Sequence, residues 1–257
     1  MRPRPIALVT GASAGIGREL CRILAGDGHD LVLVARRRDR LEALAAELEG
    51  ATCHVVPADL SDPASPRAVA QAVEELGLEI DLLVNNAGFG STGAFHTLPL
   101  DRELDMVQVN VSALVALTGL LLPQMVERGR GAVLNIASTA GFQPGPFMAT
   151  YFATKAFVLS WSEALAWELR GTGVTVTAHC PGATSSEFGD VSGNGKNKLF
   201  TQTTPATAAE VAAHALGAAR AGRPVAIHGL TNAIGAFGVR LSPRSLVKWL
   251  AASLNQE

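Results

Sequence analysis

The sequence predicts a single doubly wound α/β domain in which helices flank both faces of a seven-stranded parallel sheet. Three observations support this fold class. Short runs of aliphatic residues are apolar at every position, as in parallel strands buried on both faces. These runs alternate along the chain with longer segments of helical periodicity. Residues 1–257 contain no linker, internal repeat or low-complexity segment, so we expect one domain.

The predicted elements alternate in order along the chain. Strands are predicted at 6–9, 31–34, 55–56, 82–84, 133–136, 174–178 and 225–227. Helices are predicted from the apolar spacing at 41–48, 64–76, 103–127 and 150–170. The last two helices are apolar around much of their circumference, so they need cover on more than one side.

Two regions fall outside this alternation. Residues 183–204 are polar and contain glycine, which predicts a lid-like loop with a short helix. Residues 229–257 form a C-terminal tail that ends in an amphipathic helix. Ser242 is the predicted N-cap of this helix, and Pro243 occupies its first position.

The composition limits the class of function. Hydrophobic residues make up 48% of the chain and charged residues only 17%, enough apolar material for a large core. The net charge of -2 lacks the basic excess of nucleic-acid-binding proteins. The longest apolar segment, 111–122, is shorter than the roughly 18 residues of a membrane span. We expect a cytoplasmic protein that binds no nucleic acid and does not span a membrane.

The cysteines and histidines show no metal or disulfide pattern. Cys21, Cys53 and Cys180 are far apart in the sequence and form no C-x-x-C pair. The six histidines form no H-x-x-x-H pair. We therefore expect reduced, mostly buried thiols and no metal site.

A glycine-rich loop at residues 10–17 follows the first predicted strand and opens a helix. Glycine allows the backbone to turn tightly and to approach a pyrophosphate, while the helix N-terminus supplies N–H groups and partial positive charge. The loop therefore predicts a dinucleotide site of the Rossmann type. Its candidate cofactor-binding residues are Gly11, Ser13, Ala14, Gly15, Ile16 and Gly17.

The end of the second predicted strand indicates which nucleotide binds. An NAD(H) site carries an acid there, about 20 residues after the glycine loop, to bind the ribose 2′-hydroxyl. This chain has Arg36 and Arg37 instead. Because guanidinium groups suit a 2′-phosphate, we predict NADP(H) rather than NAD(H). The alternative is that these arginines form the solvated start of the next helix.

The segment YFATK, residues 151–155, contains the only tyrosine and one of four lysines. Reduction of a carbonyl group by hydride leaves an alkoxide, to which a phenol can donate a proton. A nearby ammonium lowers the phenol pKa, and residues i and i+4 share a helix face. We therefore assign Tyr151 as general acid/base and Lys155 as its electrostatic partner. Ser138, which ends the fifth predicted strand, can hydrogen-bond the substrate oxygen.

These motifs resemble those of the short-chain dehydrogenase/reductases, in order and spacing, over about residues 5–228. The matching motifs are TGASAGIG at 10–17, Asp59, NNAG at 85–88, Asn110, Ser138, YFATK at 151–155 and PGAT at 181–184. The resemblance implies that Tyr151, Lys155 and Ser138 are catalytic and that Lys155 also contacts the ribose. It implies a proton-relay role for Asn110, although a buried helical asparagine can be purely structural.

The resemblance also implies where the rest of the nucleotide lies. Asp59 and Leu60 would meet the adenine. The ribose region would lie against Asn86, Ala87 and Gly88. The nicotinamide carboxamide would lie near Pro181, Gly182 and Thr184.

A mostly apolar wall is predicted for the substrate. Gln143 is its main polar residue, so we expect a hydrophobic ketone, aldehyde or secondary alcohol. The alternative is that these side chains only pack beneath the lid. The candidate substrate residues are Phe89, Phe142, Gln143, Phe147, Met148 and Phe188.

The partners are predicted from the apolar helices. In the family, the helices matching 103–127 and 150–170 pair across a two-fold axis, which implies a homodimer or homotetramer. The C-terminal helix places Leu246, Val247 and Leu250 together. It can pack on the domain or over the cleft, or it can contact a membrane surface.

Two other functions share these features. A non-catalytic NADP(H)-binding regulator or scaffold could have the same fold, but such a chain would commonly lack the tyrosine, lysine or serine. A lyase or epimerase would use the same proton-handling residues.

Overall fold

A parallel sheet of seven strands forms the centre of the computed structural model, which describes residues 4–193 and 205–255. The strands are β1 (Ile6–Thr10), β2 (Asp30–Ala35), β3 (Cys53–Pro57), β4 (Ile80–Asn85), β5 (Gly131–Ile136), β6 (Val174–Cys180) and β9 (Val225–Ile227). Their order is β3-β2-β1-β4-β5-β6-β9, with every neighbouring pair parallel. The predicted sheet is confirmed, and each predicted run lies within an observed strand.

Helices cover both faces of this sheet. They are α1 (Gly15–Gly26), α2 (Arg38–Glu47), α3 (Ser65–Glu75), α4 (Leu100–Val107), α5 (Ala113–Glu127), α6 (Ala149–Glu168), α7 (Phe188–Ser192), α8 (Ala208–Arg220), α9 (Leu230–Leu241) and α10 (Arg244–Asn255). A π-helical turn at Gln108–Ser112 joins α4 to α5, and together they form the helix predicted at 103–127. Short 3₁₀ turns lie at Phe95–Thr97 and Thr139–Phe142.

The strands are apolar on both faces because each face has its own core. In β1, Ala7 and Val9 belong to the core that includes residues of α1 and α8. Leu8, between them, belongs to the core that includes residues of α3 and α5. All three side chains are fully buried. Successive residues of a strand point to opposite faces, so a helix layer on each face explains the continuous apolar runs.

The segment Leu100–Glu127 is long and apolar enough to cross a membrane, judged by length and composition alone. In the structure Leu117, Leu121 and Met125 are buried in the core against the sheet. Their spacing of four residues places them on one face of α5. This packing explains the apolar residues on that face of α5 as core residues.

The strand order determines where a ligand can bind. Strands β2 and β3 lie on one side of β1, whereas β4, β5, β6 and β9 lie on the other. Connections that leave β1 and β4 therefore diverge, which opens a crevice at the carboxyl ends of these two strands. Ligands of open α/β sheets bind in this crevice.

The prediction of a single helix in the tail, 229–257, was incomplete. The structure has two helices there, and the glycines Gly235 and Gly238 interrupt the apolar pattern that would have indicated α9. Ser242 ends α9 and donates from Oγ to the Gly238 carbonyl oxygen at 2.8 Å, so its predicted role as N-cap of α10 was wrong. Helix α10 begins after Pro243, one residue later than predicted.

The predicted lid-like loop, 183–204, is described as far as residue 193. Strand β7 (Thr184–Ser185) pairs in parallel with β8 (Ala206–Thr207). The predicted short helix is α7. The rest of the loop, 194–204, lies outside the described residues.

Candidate active site

A cleft of about 760 Å³ opens at the carboxyl ends of the strands. Most of the residues predicted to bind cofactor or to act in catalysis line it. They are Gly11, Ser13, Ala14, Gly15, Ile16, Arg36, Arg37, Asp59, Leu60, Asn86, Ala87, Gly88, Ser138, Tyr151, Lys155, Pro181, Gly182 and Thr184. The predicted substrate residues that line it are Phe89, Phe142, Gln143, Met148 and Phe188.

Three predicted site residues do not line the cleft. Gly17 lies beneath the glycine loop, where a Cβ atom would come within 2.2 Å of the Gly11 carbonyl oxygen. Gly17 therefore allows α1 to approach the loop. Phe147 has a left-handed backbone, φ 66°, and its carbonyl oxygen accepts a hydrogen bond from Gly93 N at 2.8 Å. This turn brings Met148 but not Phe147 into the cleft wall. The third residue, Asn110, is buried behind the wall.

The glycine loop fits a nucleotide pyrophosphate. Gly11 has φ +66°, and a Cβ atom there would lie 2.8 Å from Nδ2 of Asn86. A side chain at Gly11 would therefore be strained and would displace Asn86. The N-cap of α1, Ala14, offers no side-chain hydrogen bond. The first N–H groups of α1 can therefore bind an anion in the cleft.

The end of the cleft next to the arginines after β2, where the adenosine is predicted to lie, carries exposed ion pairs. We call it the adenosine end. Arg37 Nη2 donates to Ser13 Oγ at 3.2 Å and to Glu187 Oε2 at 3.1 Å. Arg40 Nη1 donates to Glu187 Oε1 at 2.6 Å. The hydrogen bond from Arg40, with help from Arg37, lowers the pKa of Glu187. Arg36 lines the same end of the cleft.

Glu187 lines the cleft, and no sequence motif indicated it. Its partner Arg37 lies 150 residues away in the chain, so no local spacing connects them. Glu187 is one of two acidic residues in the predicted lid, and nothing in its local sequence pairs it with the arginines that follow β2.

The predicted catalytic residues meet at the other end of the cleft. Ser138 follows β5, and its Oγ accepts a hydrogen bond from Ala140 N at 3.1 Å. Tyr151 and Lys155 lie one turn apart on α6, and the Lys155 Nζ is 5.9 Å from the centre of the tyrosine ring. The same Nζ donates to the Ile136 carbonyl oxygen at 2.8 Å. Helix α6 and the end of β5 therefore bring the three predicted groups together.

Burial controls the ionisation of Tyr151 and Lys155. It raises the pKa of Tyr151 to about 12, and a hydrogen bond with Ser138 opposes this rise only in part. Burial lowers the pKa of Lys155 to about 8. We expected the ammonium to lower the phenol pKa, and this direction was wrong because the desolvation of the phenolate dominates. At neutral pH the phenol keeps its proton, which is the form that a general acid requires.

Asn110 occupies the π-helical turn between α4 and α5. Its Oδ1 accepts from Phe89 N at 3.1 Å, and its Nδ2 donates to Phe89 O at 3.0 Å and to Thr154 Oγ1 at 3.1 Å. A Cβ atom at Gly88 would lie 3.0 Å from Asn110 Oδ1 and 3.5 Å from Lys155 Nζ. Asn110 thus holds the loop after β4 beside Lys155. Its proton-relay role stays a prediction.

The lid and the tail complete the substrate end of the cleft. The Phe188 ring of α7 lies 5.3 Å from the Tyr151 ring. In the tail, Asn255 Nδ2 donates to the Pro146 carbonyl oxygen at 2.9 Å. The sequence showed no motif after residue 228 and gave no indication of α9. Packing of the C-terminal helix over the cleft was one of the alternatives in the sequence analysis, and residues of α10 do line the cleft. The wall residues that sequence reasoning missed include Arg102, Asn232, Ala236, Val239, Leu254 and Asn255.

Three histidines cluster at the ends of β6 and β9. His179 Nε2 lies 2.9 Å from His214 Nδ1, and the ring of His228 packs against both. Burial lowers the pKa of His179 to about 3, which keeps this ring neutral. Within residues 4–193 and 205–255, no group of three or more His, Cys, Asp or Glu side chains is arranged to hold a metal ion.

The sequence of this chain is similar to those of known proteins. The family model described as short chain dehydrogenase matches residues 5–197. A short chain dehydrogenase of Pseudocercospora fijiensis is 39% identical over 188 residues, which cover 71% of this chain and 60% of that protein. A sulfoacetaldehyde reductase of Chromohalobacter salexigens is 38% identical over 212 residues, which cover 79% of this chain and 83% of that protein.

Solved structures extend the similarity to the whole fold. A short-chain dehydrogenase from Sphingobium yanoikuyae in complex with NADPH is 36% identical, with a TM-score of 0.82 over 92% of this chain and 94% of that chain. A 3-ketoacyl-(acyl-carrier-protein) reductase from Brucella melitensis complexed with NADH is 30% identical, with a TM-score of 0.78 over 87% and 95%. The chain therefore belongs to the short-chain dehydrogenase family.

Proposed function

We propose that the protein is an NADP(H)-dependent oxidoreductase that interconverts a carbonyl compound and a secondary alcohol. One observation carries this proposal. Ser138, Tyr151 and Lys155 line one end of a cleft whose other end is lined by Arg36 and Arg37. A single cleft thus joins a phosphate-binding end to a proton-donating end.

The chain's own residues would manage the proton and the developing charge. NADPH, when bound, supplies the hydride. The Ser138 hydroxyl can donate a hydrogen bond to the substrate oxygen as negative charge develops there. Tyr151, protonated at neutral pH, can then donate its proton to the alkoxide. The Lys155 ammonium, fixed on the Ile136 carbonyl oxygen, would stabilise the phenolate that remains.

The arginines support NADP(H) over NAD(H). Arg36 and Arg37 follow β2, where an NAD(H) enzyme would place an acid for the ribose 2′-hydroxyl. Guanidinium groups offer several donors to a phosphate monoester. Since the similar structures contain NADPH in one case and NADH in another, the proposed preference rests on these two side chains.

The lining supports a hydrophobic substrate. Phe89, Phe142, Met148 and Phe188 contribute apolar side chains, and Gln143 is a polar group among them. Apolar pockets with a few polar groups favour ligands of the same character. The similarity to a sulfoacetaldehyde reductase raises a small anionic aldehyde as the competing substrate class.

We also propose a homo-oligomer formed through α4 and α6. Leu100 and Leu104 on α4 are 61% and 56% exposed, and Trp167 on α6 is 66% exposed. Exposed apolar side chains of this size mark interaction surfaces when they are close together. Sedimentation at micromolar concentration is expected to show a dimer or tetramer, and a monomer would contradict this proposal.

Nucleotide binding followed by turnover tests the proposed function. NADPH and NADH are titrated by fluorescence, and NADPH oxidation is then followed with hydrophobic ketones and with sulfoacetaldehyde. We expect tighter binding of NADPH and turnover of the ketones. Turnover of sulfoacetaldehyde alone would contradict the substrate class. Binding without turnover would favour a non-catalytic NADP(H)-binding protein, and no binding would contradict the interpretation of the glycine loop.

A further inference from the structure

Helix α9 exposes its large apolar side chains. They recur at i, i+4, i+7 and i+11, so they form one stripe along the helix. The stripe consists of Leu230, Ile234, Phe237 and Leu241, which are between 63% and 78% exposed. The residues of α9 that line the cleft are Thr231, Asn232, Gly235, Ala236 and Val239. This arrangement is the reverse of an ordinary surface helix, whose large apolar residues face the core.

Helix α10 also exposes large apolar side chains. Val247, Ala251 and Asn255 are its buried residues. Its large apolar residues are Leu246 (46% exposed), Trp249 (66%), Leu250 (46%) and Leu254 (36%). Leu254 also lines the cleft. We call the other three residues and the four of α9 the tail face. Seven such side chains exceed the scattered apolar exposure of an ordinary protein surface.

The charged residues of α9 and α10 are all positive. Residues 229–255 contain Arg240, Arg244 and Lys248 and no acidic residue. Glu257, the remaining acid of the tail, lies outside the described residues. The exposed apolar surface of α4 differs, because this helix also carries Asp101 and Asp105 beside its leucines.

We propose that the tail face docks onto an anionic lipid surface. An amphipathic helix that lies in a membrane interface buries its apolar side chains among the acyl chains and places lysine and arginine near the headgroups. Anionic lipids attract such cations. The aromatic residues Phe237 and Trp249 add apolar area to this face.

A second copy of the chain fits this surface less well. A two-fold symmetric contact places the same patch of both copies together. The three cations of one tail would then approach those of the other, with no acid in 229–255 to pair with them. Such juxtaposition of like charges is unfavourable.

The position of α9 links docking to the cleft. One side of the helix carries Leu230, Ile234, Phe237 and Leu241, and other residues of the same helix line the cleft. A hydrophobic substrate dissolved in the bilayer would therefore lie close to the site. This consequence rests on the proposed function, whereas the docking itself does not.

Flotation with vesicles tests the docking without any need for activity. The full-length protein is mixed with vesicles of phosphatidylcholine alone or of phosphatidylcholine with phosphatidylglycerol. We expect flotation with the anionic vesicles and much weaker flotation with the neutral ones. The double variant F237S/W249S should lose flotation. The matched control L76S/F95S changes two exposed apolar residues outside the tail face and outside the proposed oligomer surface, and it should float like the wild type.

A charge-reversal variant separates the electrostatic contribution to vesicle binding from the contribution of the apolar side chains. R244E/K248E should bind anionic vesicles at least about tenfold more weakly than the wild type. Circular dichroism and thermal unfolding show whether each variant has kept its fold. Failure of the wild type to float, or unchanged flotation of F237S/W249S, would overturn the proposal. The wild type could fail to float while F237S/W249S converts a dimer into a monomer. That result would show that the tail face is a contact between copies of the chain.

Discussion

The two ends of the cleft place their cations in opposite environments. At the adenosine end, Arg37 and Arg40 are 42% and 44% exposed and share Glu187. At the catalytic end, Lys155 is 5% exposed and donates to a backbone carbonyl oxygen. Water screens exposed pairs, so they are weak and exchange easily, whereas a buried charge has a strongly shifted pKa. The comparison indicates that the adenosine end suits reversible binding of a phosphate and the catalytic end suits proton transfer at a fixed position.

The largest expected effect comes from removing the buried proton donor. Tyr151→Phe keeps the aromatic ring but loses the hydroxyl, so kcat should fall by about 10²–10⁴-fold. The Kd for NADPH should change by less than about threefold, because the phosphate contacts lie at the other end. NADPH oxidation and fluorescence titration measure the two quantities. Phe157→Leu on the exposed side of α6 is the matched control, and retained turnover in Tyr151→Phe would contradict the mechanism.

The second largest effect is expected from pH, which should change kcat/KM through the catalytic end but leave the nucleotide preference of the adenosine end unchanged. The pKa of Lys155 is lowered from 10.5 to about 8, so the amine is charged below pH 8 and neutral above it. At subsaturating NADPH, kcat/KM should therefore fall by up to about tenfold per pH unit above pH 8. The preference for NADPH over NADH should stay constant, because guanidinium groups keep their charge in this range. A flat kcat/KM profile up to pH 10 would show that buried Lys155 is not required in its charged form.

A smaller effect is expected when the charge at the adenosine end is reversed. Arg36→Asp should lower the preference for NADPH over NADH by about 10–100-fold, since hydrogen bonds to charged groups contribute about 1.5–3 kcal/mol. The ratio of kcat/KM values for the two nucleotides measures this preference. Arg38→Asp introduces the same charge change on a residue that pairs with Glu42 and does not line the cleft. An unchanged ratio in Arg36→Asp would remove the basis for NADP(H).

The smallest effect is expected from the carboxylate that bridges the lid and the arginines. Glu187→Gln frees Arg37 and Arg40 for a 2′-phosphate, so the Kd for NADPH should fall by about two- to fivefold, in line with exposed ion pairs. The Kd for NADH should not change. Glu42→Gln, which removes an acid paired with Arg38, is the control. Weaker NADPH binding in Glu187→Gln would show that Glu187 positions the arginines and does not compete with the phosphate.

The sheet and the proximity of Tyr151 and Lys155 could be predicted because their signals are local. Buried parallel strands need apolar residues at successive positions, and each predicted run lies within a strand. Tyr151 and Lys155 are four residues apart, so any helix there brings them together. The wrong predictions involve non-local or unusual conformations. Phe147 leaves the cleft wall through a left-handed backbone, and the glycines of α9 concealed a helix.

By itself, the sequence determined the α/β alternation, the nucleotide loop and the proximity of Tyr151 to Lys155, because each depends on residues close together in the chain. Only the tertiary structure decided that Glu187 meets Arg37 and that α9 lines the cleft with one side and exposes large apolar residues on another. It also decided that the phenol pKa of Tyr151 rises. These properties depend on burial and on contacts between distant segments, which local spacing does not encode.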